Sequence, residues 1–210
     1  MANTNIDGKS SVNVARLVMW PLTSDTKEGI TYGEVRTFPD ELNSAKYAPK
    51  VQTASQYGDG KKVEDYVAKD GGDIEVVIRG FAPGDEAFLF GEKQTKDGTS
   101  VSNSGDIVPY VACAYMIELP NGHVNLLKFP KVKWMPQGAD SKQREGSSIS
   151  YTTATLKGTY SPTVHSGDDK YSRLNLDPSN EADAAVIESW FTEGAFYTRG
   201  DYVPGPSETV

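Results

Sequence analysis

The chain has 210 residues, of which 37% are hydrophobic and 24% are charged, a balance typical of a folded domain. At this length an all-β protein commonly forms a single domain. Acidic side chains outnumber basic ones by 29 to 21, and the resulting net charge of −8 argues against a conventional nucleic-acid-binding protein.

Cysteine content and hydropathy indicate the compartment. The single cysteine, Cys113, cannot form an internal disulfide or a zinc site built from cysteines. The polar residues 1–13 lack the apolar core of a signal sequence. The longest uncharged run, Ile107–Ile117, is too short for a membrane-spanning helix. We therefore expect a protein that is made in the cytoplasm and does not insert into a membrane.

Strand signals dominate the first part of the chain. The apolar run Asn13–Pro21 predicts the first strand, and Thr31–Thr37 predicts a second, short one. A proline followed by two acidic residues predicts one helical turn over Pro39–Ala45. Lys50–Tyr57 alternates weakly and predicts a further strand, whereas Lys61–Lys69 is compatible with either strand or helix.

The middle of the chain carries clearer signals. Ile74–Ile78 predicts a strand, and we interpret the preceding Gly71-Gly72 as the turn that leads into it. Pro83–Phe90 predicts a helix, because a proline and two acids stand near its start and a glycine follows its end. Ile107–Trp134 predicts a β-hairpin, since Asn121-Gly122 between apolar runs is the strongest short hairpin signal.

The last third contains one predicted strand and one predicted helix. Ser148–Tyr160 is rich in serine and threonine, which suits a strand that is half-buried or paired with another chain. Glu181–Phe191 predicts a helix, with Asn180 as its cap and large apolar side chains on one face. Loops are predicted at Tyr57–Lys61, Glu92–Gly105, Gln137–Gly146 and Ser161–Asp169.

Together these elements predict a mainly β fold, a single-domain β-sandwich or barrel with one short helix and one C-terminal helix. We expect a flexible N-terminal segment at residues 1–12 and the β domain at residues 13–162. Residues 163–199 are expected to form a peripheral loop and helix packed on that domain. Residues 200–210 are expected to form a mobile tail.

Few residues have the types and spacings that catalysis or metal binding requires. His123 and His165 stand in or beside predicted turns, and neither has a second metal ligand at a suitable spacing. Cys113 lies between apolar neighbours in a predicted strand and is interpreted as an inert core thiol. We therefore expect no enzyme activity, no catalytic residue, no metal site and no cofactor.

Two positive features concern surfaces. The chain has 11 tyrosines and 3 tryptophans, residue types that favour interfaces as well as β-sheets. A charged stretch punctuated by glycines, Tyr57–Asp73, separates two predicted strands. It is either a solvated hairpin or an arm that reaches a neighbouring subunit.

Four stretches, taken in order, resemble the major tail protein, or tail tube protein, of bacteriophages with long non-contractile tails that infect Gram-positive hosts. The first, Ala15–Gly33, contains the turn sequence Thr-Ser-Asp-Thr, and the second, Gly71–Gly80, leads into the Pro83–Phe90 helix. The third, Tyr110–Trp134, turns at Asn-Gly and returns through Phe-Pro-Lys-Val-Lys, and the fourth is Arg144–Thr159.

The resemblance covers the chain from Ala15 to Pro162 and implies a virion structural protein. Six copies would form a ring, and rings would stack into a tube around the tape-measure protein and later conduct the genome. The expected partners are further copies of the chain, the tape-measure protein, and the tail terminator and distal tail proteins. Phage DNA would pass through transiently without specific binding, since an acidic wall repels phosphates.

Within this scheme we expect Tyr57–Asp73 to act as an intersubunit arm. The acidic candidates for lumen or interface positions are Glu64, Asp65, Asp70, Asp73 and Glu75. Tyr57, Lys61, Lys62 and Lys69 complete the set of intersubunit or lumen candidates.

Other functions stay open at this point. A carbohydrate-binding β-sandwich would use Trp20, Trp134, Trp190 and the tyrosines to stack on sugars, although the tryptophans lie in apolar segments typical of a core. A baseplate or tail-completion ring protein of the same fold is a further alternative. A hydrolase that uses two carboxylates would need no catalytic histidine, but the sequence does not identify a pair of acidic residues for that role.

Overall fold

The computed structural model describes residues 10–39, 41–59, 61–136, 153–165 and 170–192, and it describes the backbone alone at residues 54, 56–58, 62–70 and 83. Strands and two helices make up most of these residues. The strands are β1 (Asn13–Asp25), β2 (Ile30–Tyr32), β3 (Arg36–Phe38), β4 (Leu42–Gly58), β5 (Lys61–Ile78), β6 (Lys93–Gln94), β7 (Ser100–Val101), β8 (Tyr110–Glu118), β9 (Val124–Met135), β10 (Ala154–Tyr160) and β11 (Ser172–Leu176). The helices are α1 (Pro83–Phe90) and α2 (Glu181–Thr192).

One antiparallel sheet organises the molecule. Its strands follow the order β2-β1-β8-β9-β10-β5-β4, with β3 paired to β1 and β11 paired to β9. The first half of β9 pairs with β11 and its second half pairs with β10, so this strand changes partner along its length. β4 also lies against β1, so the sheet curves back toward its own beginning. The prediction of a mainly β single domain is confirmed.

The concave side of the sheet encloses the larger of two hydrophobic cores. In β5, Ile74, Val76 and Ile78 are buried while the residues between them are more exposed, the alternation expected of a half-buried strand. Leu17 and Met19 enter the same core from β1. Helix α1 covers part of this core with Leu89 and Phe90.

Helix α1 starts as its sequence predicts. The Asp85 side chain accepts a hydrogen bond from the Ala82 main-chain N–H at 2.8 Å, and Arg36 pairs with the same carboxylate. Gly91, at φ 75°, ends the helix in the left-handed conformation that favours glycine.

A second core lies on the convex side, between the sheet and α2. Trp190 and Phe191 of α2 pack against a surface that includes Val18 and Trp20 of β1. The buried ammonium of Lys128 lies 5.1 Å from the Trp20 ring centroid and 5.0 Å from that of Trp190. Cation–π attraction offsets part of the cost of removing this charge from water.

Several sequence predictions are confirmed by these elements. The hairpin at Asn121-Gly122 joins β8 and β9, helix α1 has the predicted bounds, and α2 covers the predicted Glu181–Phe191 and one residue more. The segment Lys61–Lys69, whose sequence was compatible with either a strand or a helix, is a strand and forms part of β5. Residues 154–160 of the predicted Ser148–Tyr160 strand form β10, and the rest of that range lies outside the described residues.

Five predictions are wrong or incomplete. The strand predicted at Thr31–Thr37 is split into β2 and β3, because each pairs separately with β1, and the loop predicted at Glu92–Gly105 contains the paired strands β6 and β7. The helical turn predicted at Pro39–Ala45 is extended from Leu42 onward, because Leu42 pairs with Ile78 and the sheet overrides the local signal. Gly71-Gly72 is not a turn, because β5 runs through it without interruption. Strand β11 was not predicted, and its pairing with β9 adds a strand to a region expected to be a peripheral loop and helix.

Three predicted segments can be compared only in part or not at all. The N-terminal segment 1–12 is described from residue 10 onward, and the tail at 200–210 and the predicted loop Gln137–Gly146 lie outside the described residues. Neither of the two described helices combines the length and apolar character that crossing a bilayer requires.

Candidate assembly surfaces

The most distinctive surface feature is a two-stranded ribbon formed by the ends of β4 and β5. Val51 lies opposite Lys69, and the pairing continues to Gly58 opposite Lys61. β10 pairs with β5 only over Gly72–Ile78, so no third strand of the described chain pairs with the ribbon. Strands rise about 3.4 Å per residue, so a ribbon of eight residue pairs projects by roughly 27 Å. We call residues 51–69 the ribbon.

The ribbon leaves the sheet at a glycine pair that permits a close crossing. A Cβ at Gly72 would lie 2.5 Å from Cζ of Tyr160 and closer still to the Ala48 carbonyl oxygen. Gly71 has φ 73°, and a Cβ there would collide with the Tyr160 main chain. Both glycines are therefore explained by the approach of β10 and not by a turn.

Tyr160 itself is fixed by this crossing. Its side chain is buried among aromatic neighbours, with the Phe129 ring centroid 5.1 Å away. Burial raises the pKa of Tyr160 to about 12. The electrostatic influence of Tyr171, Tyr47 and Asp73 acts in the same direction. The Tyr160 hydroxyl therefore stays protonated at neutral pH and does not add charge to the base of the ribbon.

The sequence-predicted site residues divide into two groups. Tyr57, Lys61, Lys62, Glu64, Asp65 and Lys69 belong to the ribbon, with Asp70 directly after it. Lys61 is exposed, and the backbone alone is described at the others. Asp73 and Glu75 lie instead in the body of the sheet, where Asp73 is opposite Ala48 and Glu75 is opposite both Lys46 and Lys157. The structure thus splits one predicted segment between a projection and a flat face.

On that flat face the two carboxylates are surrounded by lysines. Lys50 Nζ lies 2.7 Å from Asp73 Oδ1, and Lys157 Nζ lies 3.9 Å from Glu75 Oε2. Lys46 stands beside Glu75 in the register of β4 and β5. Lysine charge therefore offsets that of Asp73 and Glu75 in the single chain, and their assignment to lumen or interface positions stays a prediction. Sequence reasoning missed Lys46, Lys50 and Lys157, since strand pairing alone brings them together.

Helix α2 carries acidic charge on the opposite side of the molecule. Its first turn contains Glu181 and Asp183, and its last turn has no basic residue. Arg16 of β1 donates to both oxygens of Glu188 at 2.7 and 3.0 Å and lies over the Phe191 ring. This hydrogen-bonded pair lowers the pKa of Glu188. Arg16 itself has φ 55°, an uncommon conformation for a residue other than glycine, at a bulge of β1.

A further ion pair fixes the loop after β10. Lys131 Nζ donates to Asp25 at 2.8 Å, and the main-chain N–H groups of Val164 and His165 donate to the same carboxylate. Burial works against ionisation of Asp25, yet these hydrogen bonds outweigh it and hold its pKa below the ordinary value of 3.8. The Asp25 carboxylate thus connects β1 with β9 and with residues 164 and 165.

The residues considered for chemistry occupy structural positions. His123 Nδ1 lies 3.3 Å from Asn175 Oδ1, and His165 contacts the Lys27 carbonyl oxygen. Cys113 is buried, and burial raises the pKa of its thiol. Within the described ranges, no three metal-ligating side chains come together. Trp20, Trp134 and Trp190 are all buried, so in this conformation they present no face to a sugar.

No protein-family model matches the chain, and no curated protein matches it significantly.

Proposed function

We propose that this protein is the tube subunit of a long non-contractile phage tail, which assembles into stacked hexameric rings that conduct DNA. The observation that carries the proposal is the ribbon at residues 51–69, together with the ordered sequence resemblance described above. In this proposal the mature protein resides in the virion tail and is assembled in the host cytoplasm. Its partners are its own copies, the tape-measure protein, and the tail terminator and distal tail proteins.

The ribbon supports assembly because such a structure is poorly stabilised by itself. A two-stranded hairpin is marginal in water unless further strands or another layer pack on it. Along the ribbon, no further strand of the described chain occupies the outer edge of either β4 or β5. Unpaired edges are templates for pairing with another chain. A neighbouring copy would supply the missing packing, and a contact between different patches on identical subunits generates rings or open polymers.

The overall charge is compatible with a conducting tube but does not locate the lumen. A net charge of −8 disfavours adhesion of phosphates to the assembled wall. The face that carries Asp73 and Glu75 also carries Lys50 and Lys157, so we do not assign the lumen to it.

Electron microscopy of the purified chain tests the proposal. Negative-stain images at increasing concentration should show rings that stack into tubes. Single rings that never stack would favour a tail-completion or baseplate protein instead. A chain that stays monomeric at all concentrations would refute the proposal.

A variant without the ribbon tests the role assigned to it. Gln52 and Ala68 lie opposite each other, so replacing residues 53–67 by Asn-Gly should close the hairpin at the base of the ribbon. Circular dichroism should show an intact β fold, whereas assembly should be lost. The matched control replaces residues 95–99 by Asn-Gly between Gln94 and Ser100, which are also opposite each other, and it should assemble normally. Normal tubes from the ribbonless variant would contradict the assignment.

A further inference from the structure

A shallow groove lies on the outer face of β4, β5 and β10, at the base of the ribbon. It has a volume of about 430 Å³, and Ala48 and Gly158 are among the small residues that line it. Lys46, Lys157 and Met135 also line it, and Met135 is 47% exposed. The groove is therefore shallow and accessible, with ammonium groups at its sides.

The charge of this groove has the opposite sign to that of the chain. Two lysines, Lys46 and Lys157, line it, and Lys50 lies beside it on Asp73, so three lysines face its two carboxylates, Asp73 and Glu75. Lys46 makes no ion pair with any residue that the structure describes, and it is exposed. The chain as a whole has a net charge of −8. An excess of lysine on one face of an acidic protein provides charge complementarity to the remainder of a second copy.

The complementary charge lies on α2. From Asp177 to Thr192 the chain has four acidic residues and no lysine or arginine, and Arg16 of β1 neutralises one of the four, Glu188, so three acids supply the net charge. Glu181 and Ala185 are exposed one helical turn apart and therefore lie on the same side of the helix. Because Trp190 and Phe191 face the sheet, the outer side of α2 is available to a partner.

The groove and helix α2 lie on different sides of the molecule. The groove centres on β5, where Ile74 and Val76 face the inner core and Asp73 and Glu75 face outward. Helix α2 shares the convex-side core with residues of β1, β8 and β9, among them Ala112 and Ala114 of β8, and it also contacts β11. Following the strand order, β9 and β10 lie between β8 and β5. Because the sheet curves until β4 contacts β1, the path from β5 back to β8 on the other side runs through β4 and β1. The two patches thus lie on opposite sides of the inner core.

We infer that the lysine-lined groove of one copy receives the acidic outer side of α2 from the next copy, in a head-to-tail contact. Complementary patches on opposite sides of one chain generate rings or open chains, whereas a two-fold contact would stop at a dimer. The inference rests on the proposed function, since it identifies which surfaces would join tube subunits. It assigns the groove a contact separate from the one formed by the ribbon.

Charge exchange between the two patches tests the contact. One variant, Lys46→Glu with Lys157→Glu, makes the groove acidic. The other, Glu181→Lys with Ala185→Lys, changes the charge of residues 181–185 from −2 to +1. Each variant alone brings like charges together, so the concentration at which assembly begins should rise at least about tenfold, or about 1.4 kcal/mol. Mixed one to one, each altered patch meets its opposite, and assembly should return to within about threefold of the unaltered chain. In 1 M salt the differences in onset concentration between the variants should shrink, because the Debye length at that ionic strength is about 3 Å.

The control and the outcomes separate this inference from the proposed function. Lys93→Glu with Lys96→Glu changes the net charge equally on the exposed β6–β7 hairpin and should leave the onset of assembly unchanged. The inference alone is overturned if the unaltered chain assembles and the groove variant does too, if the mixture does not recover, or if the control is equally impaired. If the unaltered chain does not assemble at all, the proposed function fails and the head-to-tail contact fails with it.

Discussion

Replacing Gly72 by alanine tests how the base of the ribbon is built. The added Cβ would meet Tyr160 Cζ at 2.5 Å and the Ala48 carbonyl oxygen at shorter range, whereas ordinary contact needs 3.4 Å or more. The tyrosine ring is buried and the carbonyl belongs to the paired strand β4, so neither can move without disturbing the sheet. We expect a loss at the upper end of the range for overpacked cores, about 3 kcal/mol of the free energy of unfolding.

That loss is measurable as a shift in thermal unfolding. For a chain of this size 1 kcal/mol corresponds to about 2–4 °C, so the midpoint should fall by about 6–12 °C. Circular dichroism of a dilute sample would measure this midpoint. Gly80→Ala is the matched control, because a Cβ at Gly80 has no neighbour within 4 Å and its midpoint should stay near that of the unaltered chain. A midpoint for Gly72→Ala within about 2 °C of the control would refute the reasoning.

Two further predictions concern buried groups. Asp25→Asn should cost about 2–4 kcal/mol in the free energy of unfolding, because it leaves the largely buried Lys131 ammonium without its carboxylate. The pKa of Asp25 in the folded chain lies below the ordinary value of 3.8, so its contribution to the free energy of unfolding is present above pH 3.8 and is lost as the pH falls through the folded-state pKa. The free energy of unfolding in urea should therefore depend less on pH below 4 in the variant than in the unaltered chain. Cys113, with 0% exposure and a raised thiol pKa, should react with a thiol reagent only as fast as the chain unfolds, and rapid labelling of the folded protein would contradict its burial.

Local sequence signals correctly predicted the elements whose conformation is determined by residues nearby in the chain. The Asn121-Gly122 turn and helix α1 belong to this class, because turn conformation and helix capping involve residues within a few positions of each other. The helical turn expected at Pro39–Ala45 failed for the converse reason. Its extended conformation follows from pairing with Ile78, a partner far along the chain.

The candidate surfaces show the same division between local and distant information. The sequence indicated a projecting segment at Tyr57–Asp73, and most of that segment is the ribbon. It could not indicate that Glu75 lies between Lys46 and Lys157, because strand register decides that arrangement and residue spacing along the chain does not. Gly71-Gly72 was misinterpreted because a glycine that permits a close crossing looks the same in a sequence as a glycine that forms a turn.

The placement of Lys128 between the indole rings of Trp20 and Trp190 gives the molecule an intrinsic optical reporter. An ammonium about 5 Å from both rings sets the local field that their excited states experience, and one of the rings belongs to α2. Any event that lifts the helix would remove Trp190 from that field and wet both chromophores. Tryptophan emission would therefore report detachment of helix α2 during unfolding, in the unlabelled native chain.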